Sequence, residues 1–457
     1  MPLVSNFPAA ATVSFVSLIN VTFTEGASLT CSKGNLSYST TPQGTNYTFK
    51  VYEAGEWTIT AFKNGKSKSV SVEITRDGQY VEISLTFAHI YGIQRNASSS
   101  SPVWTRTNDA AGLTATAAVG ADAGISGFDA LYPWSEMQRE TLYTGDVMVR
   151  IPKFWFRRYR DGDVENIEIS DQEVPGYGLH PLFWQNATEK EAVYIGAYKT
   201  SSNNRSLSNA NPTIQVTRAG ARSSARSKGN GWGLLDVNAL SAIEMLMLVE
   251  FASNDVQTVI GYGYCNGNSN YRSTGSCDSV PGLTGVPSGG VGKVDVVYRG
   301  IEGFWGNVWE WVDGININNG IYYVCNDPGS YADDTASGYE ALSFLGRTDW
   351  RGAWISQMGL DLDNPHILMP SAAESSGNGQ TYFCDVCQVG SGWKVVQHGS
   401  AWDQGLASGL WGMEALNSSN ASYTSIGSRL MYIPGDGDAP DPAQMERALN
   451  ELGVETR

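Results

Sequence analysis

The chain has 457 residues, 41% of them hydrophobic and 11% aromatic, which is too long for one ordinary domain and predicts two or three folded units. Its 51 glycines, 14 tryptophans and 22 tyrosines favour loop-rich β structure and exclude an architecture of extended helical bundles. A formal charge of -16, with no block of Lys or Arg, argues against binding to nucleic acid or to anionic lipid.

The first residues, MPLVSNFPAAATVSFVSLINVTF, do not have the composition of a secretory signal. They lack a cationic start, and Asn6 and Pro8 interrupt the apolar stretch. No apolar run in the sequence reaches membrane-spanning length. We therefore expect neither a signal peptide nor insertion into a membrane.

Apolar residues alternate strictly between Val21 and Phe87, with turn sequences between the runs. This period of two predicts strands with one buried face, and the spacing predicts a β-sandwich of about six or seven strands. The segment resembles the immunoglobulin-like modules that phage structural proteins use as spacers, and we assign residues 1–89 to it. The turn sequences are Pro42-Gln-Gly44, Asn64-Gly65 and Asp77-Gly78.

After Phe87 the alternation ends, and Ala/Gly/Ser-rich sequence indicates entry into a second domain near residue 90. Short strands are predicted there, for example over residues 147–156. One convincing helix is predicted within LLDVNALSAIEMLMLVEFAS, at about residues 236 to 252. Its apolar residues recur every three or four positions and predict one face packed on a core. Ser241 and Glu244 have the spacing of a capping box, although the residues before Ser241 could equally be helical.

Six cysteines occur, at positions 31, 265, 277, 325, 384 and 387. Only Cys384 and Cys387 have a spacing typical of a metal site. A zinc site needs a second pair of ligands, and the best available pair is Cys265 with Cys277 in a polar loop. Free thiols or a local disulfide are the alternatives to that metal site.

The string Gly306-Asn-Val-Trp-Glu-Trp311 is the sharpest motif in the chain. It is similar to the hallmark of the formylglycine-generating-enzyme (sulfatase-modifying factor) superfamily, which has a C-type-lectin fold. Later segments resemble the closing strands of that family. Together the ordered motifs resemble phage tail proteins and the variable proteins of diversity-generating retroelements over residues 90–434. The supporting segments are 151–156, 176–181, 398–402, 407–411 and 426–430.

Three departures from the enzymes of this superfamily predict that the chain is not an enzyme and has no catalytic residue. The enzymes oxidise through a cysteine pair in the closing segment, and no cysteine follows Cys387. Related sulfoxide synthases need a histidine iron site, whereas the four histidines, at 89, 180, 366 and 398, are widely scattered. Gly303 replaces a calcium-ligand Asn, so we expect no cofactor, although Asn307, the Val308 carbonyl and Glu310 could still supply oxygens to calcium.

The resemblance places a ligand-binding surface in residues 397–425, which we name the display segment. We interpret Trp402 as a core residue and expect Trp411 and its neighbours to be exposed. Adenine-directed diversification of AAC or AAT codons cannot encode Trp, Gln, Met or Glu, so active diversification by a retroelement stays open. The candidate ligand-binding residues are Gln397, His398, Asp403, Gln404, Ala407, Trp411, Gly412, Glu414, Tyr423 and Thr424.

These interpretations predict a mainly β protein with α+β elements, in which the immunoglobulin-like β-sandwich precedes a C-type-lectin-like domain. Its expected function is host recognition at the tip of a phage tail. Its expected location is the virion or the extracellular surface after release. A host-cell surface protein or glycan, other tail proteins and further copies of the chain are the expected partners. A formylglycine-generating-enzyme-like oxidoreductase and a purely structural virion protein are the alternatives. The tail 435–457 is expected to hold a short helix from Pro442 to about Leu452.

Overall fold

The computed structural model describes residues 15–63, 66–185, 187–407 and 409–435. It divides into two compact units, Met1–His89 and Ile90–Arg457. Strands account for 40% of the structure and helices for 10%, which confirms the predicted mainly β class with α+β elements. The helix predicted from Pro442 lies outside the described residues.

The described part of the first unit is a sandwich of two sheets, with strand orders β4-β1-β7 and β3-β2-β5-β6. Strand β1 pairs antiparallel with β4 and parallel with β7. The alternating apolar residues fill the space between the sheets, where the Trp57 side chain is fully buried. The strands are β1 (Ser17–Phe23), β2 (Ser28–Lys33), β3 (Leu36–Thr40), β4 (Asn46–Val51), β5 (Gly55–Lys63), β6 (Lys66–Ile74) and β7 (Tyr80–Leu85).

The second unit contains many short strands and three α-helices within its described residues. Its first strands are β8 (Ile90–Asn96), β9 (Thr105–Asn108), β10 (Ala115–Thr116), β11 (Ala118–Val119), β12 (Ile125–Ser126), β13 (Arg139–Thr141), β14 (Val147–Pro152), β15 (Trp155–Asp161), β16 (Val164–Ser170), β17 (Gly178–Leu179), β18 (Trp184–Gln185), β19 (Thr188–Glu189) and β20 (Ala192–Gly196). Next come α1 (Arg218–Arg226), β21 (Trp232–Leu234), α2 (Val237–Phe251), α3 (Val256–Val259), β22 (Gly285–Val286), β23 (Val297–Tyr298) and β24 (Ile301–Glu302).

The later strands are β25 (Trp309–Asn318), β26 (Ile321–Val324), β27 (Glu340–Leu345), β28 (Arg351–Met358), β29 (Pro370–Glu374), β30 (Val386–Val389), β31 (Trp393–His398), β32 (Met413–Ala415), β33 (Ile426–Gly427) and β34 (Leu430–Tyr432). The largest sheet has the order β27-β26-β25-β31-β32-β30-β28-β29, with β33 pairing to β25. In another sheet β34 lies between β20 and β21. The end of the second unit therefore pairs with strands from much earlier in the chain.

Helix α2 is buried on all sides, not on one face as predicted, because every one of its 15 residues is buried. The residues before Ser241 are helical, which was the alternative to a capping box at Ser241 and Glu244. Asp236 is the N-cap, and its Oδ1 accepts a hydrogen bond from the Ala239 N–H at 2.8 Å. Ser241 and Glu244 lie inside the helix, so α2 is a central core element.

No helix in the described part of the chain is long and apolar enough to cross a membrane.

Candidate ligand-binding site

The motif Gly306–Trp311 is buried. Its first three residues precede β25, and its last three residues begin that strand. Gly306 has φ +84°, and a Cβ there would lie 2.6 Å from the Tyr264 backbone nitrogen, so glycine is required. The Asn307 side chain accepts a hydrogen bond from the Arg272 N–H and donates one to the Arg272 carbonyl, each at 3.0 Å. The motif therefore has a structural role on a described strand of the largest sheet.

Glu310 of this motif is fully buried between two cations. Its carboxylate pairs with Arg429 at 2.7 Å and with the Lys199 ammonium at 2.7 Å. Burial alone would raise the pKa of Glu310, but the charges of Arg429 and Lys199 hold it below the ordinary value. Burial lowers the pKa of Lys199 to about 8. This triad is satisfied without any external ion.

The oxygens that could have served calcium are occupied by protein groups. The Lys199 Nζ donates both to the Val308 carbonyl, at 2.8 Å, and to Glu310. The Asn307 side-chain oxygen accepts from the Arg272 backbone. These residues therefore do not fit a calcium ion. Among the described residues, no group of three or more His, Cys, Asp or Glu side chains could hold a metal ion.

All six cysteines are buried free thiols. Burial raises the pKa of Cys265 to about 12 and also raises the pKa of Cys384 and Cys387. A thiol with a raised pKa is a poor nucleophile at neutral pH, since the thiolate is the reactive form. The pair suggested by sequence spacing, Cys384 with Cys387, is thus placed in an unreactive environment.

Two histidines that are far apart in sequence meet beside α2. The rings of His180 and His366 lie 5.5 Å apart, and both side chains are buried. Burial lowers the pKa of His366 to about 3 and holds that of His180 well below 6.5. His366 bonds the Asn238 side chain at 2.9 Å, and His180 bonds Ser241 at 3.2 Å. Sequence spacing did not indicate this pair, which belongs to the core.

Four of the ten candidate ligand-binding residues are interior, so their predicted place on the surface is wrong. Gln397 and His398 lie in β31, which is flanked on both sides in the largest sheet. Trp411 is only 2% exposed, because its indole N–H donates to the Asn254 carbonyl at 2.9 Å and its ring packs on Phe383. Gly412 is buried beside it. By contrast, Trp402 is buried as predicted.

The remaining six candidates stay accessible, but they are distributed along the segment. Asp403, Gln404, Tyr423 and Thr424 are exposed, while Ala407 and Glu414 are half-buried. The Glu414 carboxylate accepts a hydrogen bond from Asn417 at 2.7 Å. The accessible part of the display segment therefore lies at residues 403–407 and along residues 416–425, with Glu414 partly accessible between them.

The base of loop 403–407 is fixed to the sheet by Asp385. This buried carboxylate accepts hydrogen bonds from the backbone N–H groups of Gly409 and Trp411, at 2.6 and 2.8 Å. The neighbouring Val386 N–H donates to the Ala407 carbonyl at 3.0 Å. Burial raises the pKa of Asp385 to about 7, whereas the two backbone bonds oppose that rise. The loop is consequently anchored at its C-terminal end by residues that precede it by about twenty positions.

A pocket of 310 Å³ opens between this loop and strands β28 and β30. Gly352 has φ +68° at a bulge between Arg351 and Ala353, and a Cβ there would meet nothing within 4 Å. Trp354 and Gln388 are half-buried and come from outside the display segment, so sequence analysis missed them. We name this the ligand pocket; its lining residues are Trp309, Gly352, Trp354, Val386, Gln388, Gln404, Ala407 and Met413.

A second pocket of 520 Å³ lies near Trp232 and contains none of the candidate residues. One of its cations, Arg222, makes a two-point ion pair with Asp313 at 2.6 and 2.7 Å. Another, Arg226, donates to the Pro328 carbonyl. These charges already have partners within the protein, so the ligand pocket is the better candidate.

No protein-family model and no curated protein matches the chain. Similar solved structures include the Major Tropism Determinant M1 variant, at 12% identity and TM-score 0.26, and the I1 variant, at 12% identity and TM-score 0.27. Each match covers 83% of this chain and 81% of the other.

Proposed function

We propose that this chain is a non-enzymatic receptor-binding protein of a bacteriophage tail and that its ligand enters the ligand pocket. The observation that carries the proposal is that Gln404 and Ala407 of the display segment share one open pocket with Trp354 and Gln388. Pockets with a mainly apolar wall and a few polar groups are typical ligand sites. The assignment to a phage tail rests on the ordered motifs between residues 90 and 434, which resemble those of phage tail proteins.

The rigidity of the site supports a role in binding. The wall of the pocket is built from strands β28 and β30, and Asp385 fixes the adjacent loop through two backbone hydrogen bonds. A pre-organised site loses little conformational entropy when a ligand binds. Residues 403–407 can then vary in sequence while β28 and β30 maintain the pocket.

The lining of the pocket favours a binding protein over an oxidoreductase. The part of the lining that the structure describes consists of Trp, Gly, Val, Gln, Ala and Met, and none of these side chains is a nucleophile, an acid or a base. The buried thiols have raised pKa values, as at Cys265 and Cys387. We therefore assign no catalytic role to this surface.

The exposed residues nearest the pocket are its proposed specificity determinants. Asp403, Gln404 and Ala407 form the rim, while Tyr423 and Thr424 form a separate exposed patch. A host-cell surface molecule is the proposed ligand, and other tail proteins are the proposed partners in the virion. Sequencing of the adjacent DNA tests whether a retroelement diversifies these positions. Diversification requires a nearby reverse-transcriptase gene and a near-repeat of the 3′ end of the gene for this chain.

The proposal is tested by binding the fluorescently labelled full chain to a panel of bacterial cells and measuring the bound fraction by flow cytometry. Trp354→Ala and Gln404→Ala should weaken binding, the former by about 2 kcal/mol, which is more than tenfold. The matched control is Trp184→Ala, because Trp184 is 54% exposed and lies outside the pocket. Unchanged binding by both pocket variants, or equal loss in the control, contradicts the proposal.

A further inference from the structure

We propose that the ligand of the pocket is an uncharged saccharide on the host surface, an inference that rests on the proposed binding function. The pocket joins a half-buried indole with two primary amides on an uncharged wall. The charge, the hydrogen-bonding groups, the aromatic surface and the size of the pocket each restrict the class of ligand that it can bind.

Charge excludes the acidic ligands. Among the described residues that line the pocket, none is Lys, Arg, His, Asp or Glu. A charged ligand would lose hydration in the pocket without gaining a partner, and that loss is costly. Asp403, which precedes Gln404 in the loop, accepts a hydrogen bond from the Gln404 amide at 2.9 Å and would repel an anion. The uncharged lining therefore favours a neutral ligand, and the net charge of -16 on the whole chain further disfavours an anion.

The polar groups of the wall match hydroxyl groups. A primary amide offers both N–H donors and a carbonyl acceptor, and a hydroxyl is itself both donor and acceptor. Gln388 lies on β30 and Gln404 on the loop, so the two amides approach the pocket from different elements. Gln404 uses one N–H on Asp403, and its carbonyl oxygen can accept from a ligand hydroxyl. An apolar peptide side chain would offer no hydrogen bond to the Gln388 amide or to the Gln404 carbonyl oxygen.

Trp354 supplies a surface for the apolar side of a sugar ring. Its side chain is half-buried, whereas Trp309 is only 5% exposed and offers little surface to a ligand. The C–H groups of a pyranose can pack on an indole face, which also carries a negative electrostatic potential. Gly352 has no side chain, so it adds nothing that would fill the pocket. The space beside it is open, since no atom lies within 4 Å of the position that a Cβ would take. A flat ring therefore has room beside the indole.

Size favours a short saccharide over a protein surface. The 310 Å³ pocket is at the lower end of the range of about 300–1,000 Å³ that is usual for small-molecule sites. One or two sugar rings are of this scale, whereas a protein partner would need a much broader contact area. A peptide inserting one side chain is the competing ligand, and the experiment below includes it.

The experiment applies the labelled full chain to an array of neutral saccharides, acidic saccharides, amino saccharides and unglycosylated peptides. We expect binding to a subset of neutral saccharides, competition by the same free saccharide, and little dependence on salt because no ion pair forms. Trp354→Ala and Gln388→Glu should each reduce this binding at least about tenfold. Trp184→Ala is the control, and near-ultraviolet circular dichroism confirms that each variant is folded.

Every other outcome overturns the inference. Binding only to acidic or amino saccharides, binding only to peptides, or no binding to neutral saccharides at millimolar concentration each excludes an uncharged saccharide. The cell-binding experiment keeps the two proposals distinguishable. If Trp354→Ala loses cell binding while no neutral saccharide binds, the ligand class is wrong and the receptor-binding function stands. If Trp354→Ala and Gln404→Ala both retain cell binding, both proposals fail.

Discussion

The Trp411 side chain is held at several points. Its indole N–H donates to the Asn254 carbonyl, its backbone N–H donates to Asp385, and its ring packs edge-on against Phe383 with 5.4 Å between centroids. We expect Trp411→Ala to lower the free energy of unfolding by about 3–5 kcal/mol, because a large buried side chain leaves a cavity. Urea unfolding followed by circular dichroism measures this change.

Tyr423→Ala is the matched control, because Tyr423 is 56% exposed and lies in the same segment. Its effect on stability should stay within about 0.5 kcal/mol. If Trp411→Ala unfolds at the same urea concentration as the parent and loses only cell binding, then the ring contacts ligand and its interior position is wrong.

Sequence analysis distinguished Trp402 from Trp411 but placed the second wrongly. Both residues lie in Gly- and Ser-rich sequence with no strand or helix period, so no pattern indicates which side chain points inward. The groups that accept hydrogen bonds from Trp411 belong to Asn254 and Asp385, which are far away in the chain. Such long-range hydrogen bonds leave no trace in the local sequence.

At the scale of elements, helix α2 contains a carboxyl group that the core makes costly to ionise. Glu244 is buried, and burial raises its pKa well above 4.5. The folded chain therefore keeps this proton at pH values where the unfolded chain releases it. The stabilising contribution is present in full below about pH 4.3 and is lost as pH rises toward the folded pKa.

Glu244→Gln removes that ionisation, so the variant should gain stability relative to the parent as pH rises. The difference should grow by up to about 1.4 kcal/mol per pH unit between pH 4.3 and the folded pKa. Urea unfolding at several pH values measures it, with Glu173→Gln as an exposed control. A difference that is constant with pH would show that Glu244 is ionised in the folded protein.

Elements with a clear period were predictable, and elements defined by tertiary contacts were not. Alternation around Trp57 indicated the sandwich, and the apolar recurrence around Leu240 indicated α2. The cap was missed because Ser241 and Glu244 imitate a capping box inside the helix, whereas Asp236 caps it. No motif marks β28 or β30, so the wall of the ligand pocket, including Trp354, was not found from sequence.

For the whole molecule, we predict that residues from about 90 to 434 resist proteolysis as one block. A single cluster of buried side chains includes Leu240 and Ile243 of α2 together with Val312 and Ile315 of β25. Removing either element would expose the core of the other. Limited proteolysis followed by mass spectrometry should therefore give early cleavage near residue 90 and a persistent large fragment.

The competing outcome is cleavage inside the second unit. Stable fragments that separate between residues 240 and 310 would mean that α2 and β25 belong to independent folding units. Trypsin cuts only after Lys and Arg, so a less specific protease serves as the control. Both proteases should give the same fragments if the fold, and not the positions of Lys and Arg, determines the cleavage site. The boundary predicted near residue 90 is the position at which we expect the protease to cut first.

The Lys199 ammonium, held by Glu310 and the Val308 carbonyl, is a cation that is covalently attached to the chain through a side chain. A bound metal ion leaves at a rate set by its affinity and is lost to dilution or to a chelator. A covalently attached ammonium has no dissociation equilibrium of this kind. Changes in the divalent-cation concentration of the surrounding water would therefore leave this part of the protein assembled.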